Sequence, residues 1–264
     1  NSSKLHWDYE ESIAAMTPVD HEAQERCMLS WLSVFVGVSV LANSASMSFA
    51  AAGSAFADRW RAGYAPAMAQ VAYMYEYGIG VRKDAGEAGK LYKKLLSHYM
   101  AEAQQGDAEA QYQVGQLHYG GKGVPENIPE AMRWYAKAGE NGHLESQYKL
   151  ALLFDSGEKA PRDPQASVLW YTKAAEQGHA KSQMFLAIKY YRGRDVEQNY
   201  ANAAKWFQKS AENGIAYSQS ALGFMYASGQ GLKEDKKQAL YWYRKGAEQG
   251  DKDSQYDLGM KLKK

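Results

Sequence analysis

The stretch that decides the fold runs Ala110-Gln111-Tyr112-Gln113-Val114-Gly115-Gln116-Leu117-His118-Tyr119, then Gly120-Gly121-Lys122-Gly123, then Ala131-Met132-Arg133-Trp134-Tyr135-Ala136-Lys137-Ala138 up to Gly142. Ala110, Val114 and Leu117 stand at i, i+4 and i+7, the spacing of one helix face. The glycine cluster ends that helix, because glycine takes left-handed backbone angles at little cost. A second helix is predicted from near Ile128. Pro129 is tolerated in its first turn, where the missing amide would be unpaired anyway. Ala131, Trp134, Tyr135 and Ala138 form its apolar face, and Gly142 closes it.

Reading outward, the unit recurs. Gly106, Gly142, Gly178, Gly214 and Gly250 lie 36 residues apart, as do Gln111, Gln147, Gln183, Gln219 and Gln255. Trp134, Trp170, Trp206 and Trp242 keep the same interval, each followed by an aromatic: Tyr135, Tyr171, Phe207 and Tyr243. An earlier copy is stretched: Gly78 to Val81 matches Gly121 to Val124 at an offset of 43, the additional seven residues falling between Leu91 and Gly106. Seven residues are close to two helical turns, so a longer helix with its buried face still in phase is predicted. A degenerate second helix is expected at 56–62, and Ser254 to Leu262 begins a further copy. Small residues at Ala110, Ser146, Ser182, Ser218 and Ser254, and at Ala131, Ser167, Ala203 and Ala239, allow close helix approach. No segment alternates with period two, so no sheet is expected. The fold class is all-α, an α-solenoid of helix-turn-helix repeats, whose single units cannot bury their own apolar faces and are stabilised by stacking.

Composition sets exclusions. The 264 residues carry 31 Lys+Arg against 30 Asp+Glu, a formal charge of +1, so no cation excess points to nucleic acid. Hydrophobic residues at 45% and aromatics at 13% exclude a mainly disordered chain. One cysteine excludes an intrachain disulfide framework and a multi-thiolate zinc site.

The repeats resemble the SEL-one-like repeat (SLR) family, a relative of tetratricopeptide repeats. The resemblance is carried by Ala221-Leu222-Gly223-Phe224-Met225-Tyr226-Ala227-Ser228-Gly229-Gln230-Gly231-Leu232, Asp235, and Ala239-Leu240-Tyr241-Trp242-Tyr243 up to Gly250, and covers about residues 56–264. Lys159 and Asp195 replace the second turn glycine and are expected to loosen their loops, and Leu91 replaces the tryptophan. The resemblance implies a right-handed superhelix that binds proteins, often in bacterial envelope or signalling roles, with no shared active site.

The first 55 residues read as a separate segment before the solenoid of 56–264. Residues 1–26 hold two basic and six acidic side chains, and Cys27 to Ala57 is an uncharged run of 31 residues. Three readings stay open for that run: a packed cap helix, a membrane anchor whose apolar core is short of about 20 residues, and a targeting segment with an acidic rather than basic flank. Membrane contact, if any, is expected through residues 27–57.

No catalytic constellation emerges. His21-Glu22-x-x-Glu25 lacks the second histidine of a zinc-protease helix, and Gly86-Glu87-Ala88-Gly89-Lys90 lacks the spacing and the hydroxyl residue of a phosphate loop. His143 and His179 occupy equivalent sites one repeat apart and read as structural. No metal or other cofactor is expected, and the chain reads as a non-enzyme. In a two-helix solenoid the first helices line the concave surface. The candidates there for gripping a protein partner are Gln70, Tyr73, Tyr112, Gln113, Gln116, Tyr148, Lys149, Asp155, Met184, Phe185, Tyr191, Phe224 and Tyr256. Tyr112, Tyr148 and Tyr256 share one repeat position, which fits core packing as well as partner contact. The expected function is capture or inhibition of a protein partner. Within the family's range this points to an immunity protein that neutralises a secreted toxic enzyme such as a type VI secretion phospholipase effector; the alternative is an envelope regulator of a signalling or motility complex. A periplasmic or envelope location is expected, a cytoplasmic one being the alternative.

Overall fold

The computed structural model describes residues 65–262. The segment 1–55, the apolar run at 27–57 and the helix expected at 56–62 lie outside the described residues. All regular structure among the described residues is helical. The helices are α1 (Ala65–Tyr77), α2 (Ala85–Gln104), α3 (Ala108–Tyr119), α4 (Ile128–Glu140), α5 (Leu144–Ser156), α6 (Pro164–Glu176), α7 (Ala180–Arg192), α8 (Tyr200–Glu212), α9 (Ala216–Ser228), α10 (Lys236–Glu248) and α11 (Lys252–Leu262). Each packs on its sequence neighbours, so α1–α2 through α9–α10 make five repeats, and α11 is the first helix of another. This is an α-solenoid.

Local chemistry sets each boundary. Every second helix starts at an Asp or Asn cap: Asp84, Asn127, Asp163, Asn199 and Asp235 each accept a backbone amide three residues on. Each cap's own amide reaches back to the last turn of the preceding first helix, from Asp84 to the Tyr75 carbonyl, Asn127 to His118, Asp163 to Phe154, Asn199 to Tyr190 and Asp235 to Tyr226, at 2.9–3.0 Å. Pro129 sits in its first turn, as predicted, and Pro164 does the same in α6. α2 has 20 residues where α4, α6, α8 and α10 have 13. Its added turns keep phase: Ala88, Leu91, Tyr92, Leu95 and Ala103 are all buried, and Leu96 and Tyr99 pack against the clusters of both the first and the second repeat.

The stack is held by apolar burial and a buried polar ladder. Trp134, Trp170, Trp206 and Trp242 are all buried, and Lys137, Lys173 and Lys209 lie over the first three indoles at 4.0, 4.2 and 4.6 Å. The predicted small residues at the helix contacts are buried too. Gly223 lies under the Tyr243 ring, where a Cβ would stand 2.9 Å from Cδ1. The glutamines fill the polar part. Gln111, Gln147, Gln183 and Gln219 are buried, and each Nε2 donates to a carbonyl eight residues earlier: Ala103, Gly139, Ala175 and Ala211. Each Oε1 accepts from the end of the second helix of its own repeat, from Asn141, Gln177, Asn213 and Gln249 at 2.8–3.0 Å, so the Nε2 bond is the one that crosses to the preceding repeat. A buried amide left unpaired costs about 1–3 kcal/mol, so the ladder is satisfied only when each repeat docks in register on the one before it.

One junction departs from the apolar pattern. Lys189 occupies the register of Leu117, Leu153 and Met225, yet it is 1% exposed. Its Nζ bonds Asp155 Oδ1 and Asp195 Oδ2, both at 2.7 Å, and Asp195 also accepts from Arg162. The expectation that Asp195 loosens its loop is therefore corrected. It stands where Gly231 allows close backbone approach: a Cβ there would run into the Tyr200 carbonyl. Asp195 holds φ of 68° and is tied by two cations instead. Burial pushes its carboxyl up, but the hydrogen bonds from Lys189 and Arg162 outweigh this and hold it below the usual carboxylate range. Lys159, the other replacement, is also tied, to Glu126 at 3.3 Å and over the Tyr119 ring at 4.5 Å.

Two predictions follow from the junctions. Q183A removes two buried bonds, one to the Ala175 carbonyl and one from the Asn213 amide, and should cost about 1–3 kcal/mol in denaturant unfolding, whereas Q255A, at an exposed rung, should cost less than about 0.5 kcal/mol. K189M alone takes the lysine away from the buried Asp155 carboxylate and should cost about 3–5 kcal/mol. The triple variant D155Y/K189M/D195G, which copies Tyr191, Met225 and Gly231 of the next junction, should recover most of that loss by the same measurement.

Candidate functional site

The side chains that a partner could reach on the first helices follow from helix geometry. In α3 the buried positions are Ala110, Gln111, Val114, Gly115 and Leu117, which face the paired helix and the neighbouring repeats. The remaining face runs through Glu109, Tyr112, Gln113, Gln116 and Tyr119, and equivalent stripes follow on α1, α5, α7, α9 and α11. All thirteen sequence candidates fall on these stripes, but they do not share one fate.

Gln70, Tyr73, Tyr112, Gln113, Gln116, Lys149, Tyr191 and Phe224 are partly exposed, and Tyr256 is 68% exposed. Several are already bonded. Gln113 Nε2 donates to Glu109 at 2.6 Å, Gln116 bonds the Tyr112 hydroxyl and accepts from Tyr135 at 2.9 Å, and the Tyr191 hydroxyl donates to Gln230 at 3.0 Å. Burial and the Glu145 carboxylate push the Tyr112 phenol up to about 12.

Tyr148, Asp155, Met184 and Phe185 are corrected: all four are buried. Tyr148 packs against His179 at 4.6 Å and Phe185 at 6.4 Å, while Phe185 also stacks on Tyr171 at 5.3 Å. Asp155 is committed to Lys189. The physical reason lies in the position shared by Tyr112, Tyr148 and Tyr256. It looks onto the residue that starts the next first helix, so Tyr112 stacks on His143 at 4.5 Å and Tyr148 meets His179, whereas no described helix follows Tyr256. The face changes chemistry along the array. α1 and α3 carry Gln70, Tyr73, Glu109, Gln113 and Gln116; α5 and α9 bring Leu152, Ala221 and Phe224 to partial exposure, with Lys149 and Lys181 beside them.

Sequence reasoning did not assign the roles of the amide residues Asn141, Gln177, Asn213 and Gln249. Their 36-residue interval beside the closing glycines was the available signal. The structural reading of His143 and His179 agrees with their place as helix caps. Among the described residues, no group of three or more His, Cys, Asp or Glu side chains is arranged to hold a metal ion. Among them also, no helix is long and apolar enough to cross a membrane. If the shared tyrosine position is packing in one repeat and surface in another, Y148A should cost about 3–5 kcal/mol and Y256A less than about 0.5 kcal/mol in chemical denaturation.

Comparison with known proteins accords with this geometry. The Sel1 repeat family model matches residues 65–97, 108–143, 144–179, 180–215 and 216–251. No curated protein matches the chain. Among solved structures, c5321, a protective antigen present in uropathogenic Escherichia coli strains and displaying an SLR fold, aligns with a TM-score of 0.65 and 32% identity over 83% of this chain. The chain spans only 45% of that antigen's length. A Sel1 repeat protein from Oxalobacter formigenes aligns with a TM-score of 0.58 and 33% identity, covering 74% of this chain and 77% of that one. The immunity protein Pa5087 from Pseudomonas aeruginosa aligns with a TM-score of 0.46 and 18% identity, covering 90% of this chain and 85% of that one.

Proposed function

The chain belongs to the Sel1 repeat family, and on that scaffold we propose that its first-helix face grips a polypeptide partner. The observation that carries this reading is the set of partly exposed amide, aromatic and aliphatic side chains at two registers on α1, α3, α5 and α9, with the equivalents on α7, Phe185 and Ile188, buried: Gln70 and Tyr73, Gln113 and Gln116, Lys149 and Leu152, then Phe224. Amides supply paired donors and acceptors for a partner's backbone. Leu152 and Phe224 supply apolar contact, and few such residues carry most of the energy of a protein interface. The partner suited to this face presents an apolar segment to Leu152 and Phe224 and hydrogen-bonding groups to the amides of α1 and α3.

The narrower form of the proposal is inhibition: the gripped protein is a secreted bacterial toxin, a type VI phospholipase effector being the leading case, and the chain neutralises it in the periplasm or elsewhere in the envelope. A scaffold that covers a toxin's working surface needs no chemistry of its own, only area and fit. Photo-crosslinking residues placed at positions 113, 152 and 224 should trap one partner, and the same residue at Leu169 or Tyr241, exposed on second helices, should not. Expression of that partner alone should arrest cells, and co-expression of this chain should rescue them; L152E/F224E should abolish rescue while leaving the unfolding midpoint within a few degrees. Crosslinks confined to Leu169 and Tyr241 would overturn the assignment of the face. A trapped partner without toxicity would overturn the inhibitory form.

A further inference from the structure

The first helices α3, α5, α7, α9 and α11 are preceded by residues at one register: Asp107, His143, His179, Ile215 and Asp251. Asp107 and Asp251 are ordinary caps whose carboxylates accept the Ala110 and Ser254 amides at 2.7 Å. Ile215 makes no side-chain cap bond. At His143 and His179 the imidazole takes the carboxylate's place: Nδ1 accepts the Ser146 and Ser182 amides at 3.2 Å and lies 2.9 and 2.8 Å from the serine hydroxyls. Only an unprotonated Nδ1 has a lone pair to accept with, so each cap requires a neutral ring carrying its proton on Nε2. The rings are enclosed, 17% and 16% exposed, and packed on Tyr112 and Tyr148 of the preceding first helices.

We propose that the imidazole cap of His179 at the head of α7 makes its repeat junction acid-releasable. Protonation removes the lone pair that the Ser182 amide needs. It also puts a positive charge at the positive end of the helix dipole, where an anion is favoured. The surrounding groups separate the two histidines. His143 has the Glu109 carboxylate of α3 on its Nε2 at 3.0 Å and Glu145 in its own first turn. His179 faces Glu145 of α5 at 3.9 Å, the Tyr148 ring of α5, and Lys181 in its own first turn. Burial, the largest effect, lowers its pKa below the ordinary 6.5; Glu145 pulls it back up and Lys181 pushes it further down. A folded pKa below the unfolded one means that the unfolded chain binds the proton more readily. The stabilisation is therefore complete above about pH 6.5 and is lost as pH falls through the lower folded value.

The chain already contains the control, since aspartate does the same work at positions 107 and 251. Hydrogen exchange on the full chain at pH 7.5 and 5.5, corrected for intrinsic rates, should show the Ser182 amide losing about fivefold more protection on acidification than the Asp-capped Ser254 amide, the scale of one lost cap. H179D should abolish that difference, because its carboxylate stays ionised at pH 5.5. An unchanged Ser182 amide in the wild-type chain, or an equal loss in H179D, would overturn the proposal. Should H179D not fold, the imidazole nitrogen shifts of the wild-type chain at pH 7.5 decide the matter: an unprotonated Nδ1 at residue 179 supports the cap, and a protonated one removes it.

Discussion

One buried primary amide in each of repeats two to five governs how the copies meet. A glutamine side chain carries two donor hydrogens and an acceptor oxygen, and burying it is tolerable only if these are paired. Gln147, for example, donates to Gly139 at the end of the helix before it and accepts from Gln177 at the end of the helix after it. It therefore fixes three helix ends at once. Apolar contact between Trp170, Tyr171, Leu150 and Ala151 supplies most of the favourable burial, but such contact is non-directional and would tolerate a slip. The amide would not, because a displaced neighbour leaves buried polar atoms unpaired.

With register fixed in this way, individual junctions can vary their remaining chemistry. Repeats three and four exchange a Leu- or Met-type contact for the buried pair Asp155 and Lys189, extended towards the surface by Asp195 and exposed Arg162. The same pair of repeats exchanges carboxylate caps for imidazole caps. Both changes put titratable groups where neighbouring repeats carry apolar or permanently suitable ones, so the middle of the array is its most charge-sensitive part. Its outward stripes are also where Leu152 and Lys149 come to partial exposure.

Much of this was legible in the sequence. The 36-residue interval gave the helix pairs and the buried tryptophans, and the offset of 43 gave the lengthened α2, because period and packing face follow directly from side-chain spacing. The surface was less legible. Tyr148 and Tyr256 have the same register and similar local sequence, yet one is buried and the other open, since exposure at that position is set by what the following repeat places over it. Asp155 read as a groove carboxylate because its partner Lys189 is 34 residues away and stands in a column where the neighbouring repeats carry Leu117, Leu153 and Met225. Comparing columns instead of reading single helices would have exposed that lysine as misplaced and pointed to a buried acid. Met184 and Phe185 were misassigned for the opposite reason: on an inner helix, an apolar residue on the outward stripe reads the same whether it is covered or open.

The grip proposed for the first-helix face depends on those stripes lining up from repeat to repeat, and the amide ladder is what aligns them. Side-chain amide hydrogen exchange of the glutamines measures the ladder directly. The account predicts slow exchange at Gln147, Gln183 and Gln219 and fast exchange at exposed Gln255; uniform fast exchange at all four would contradict it.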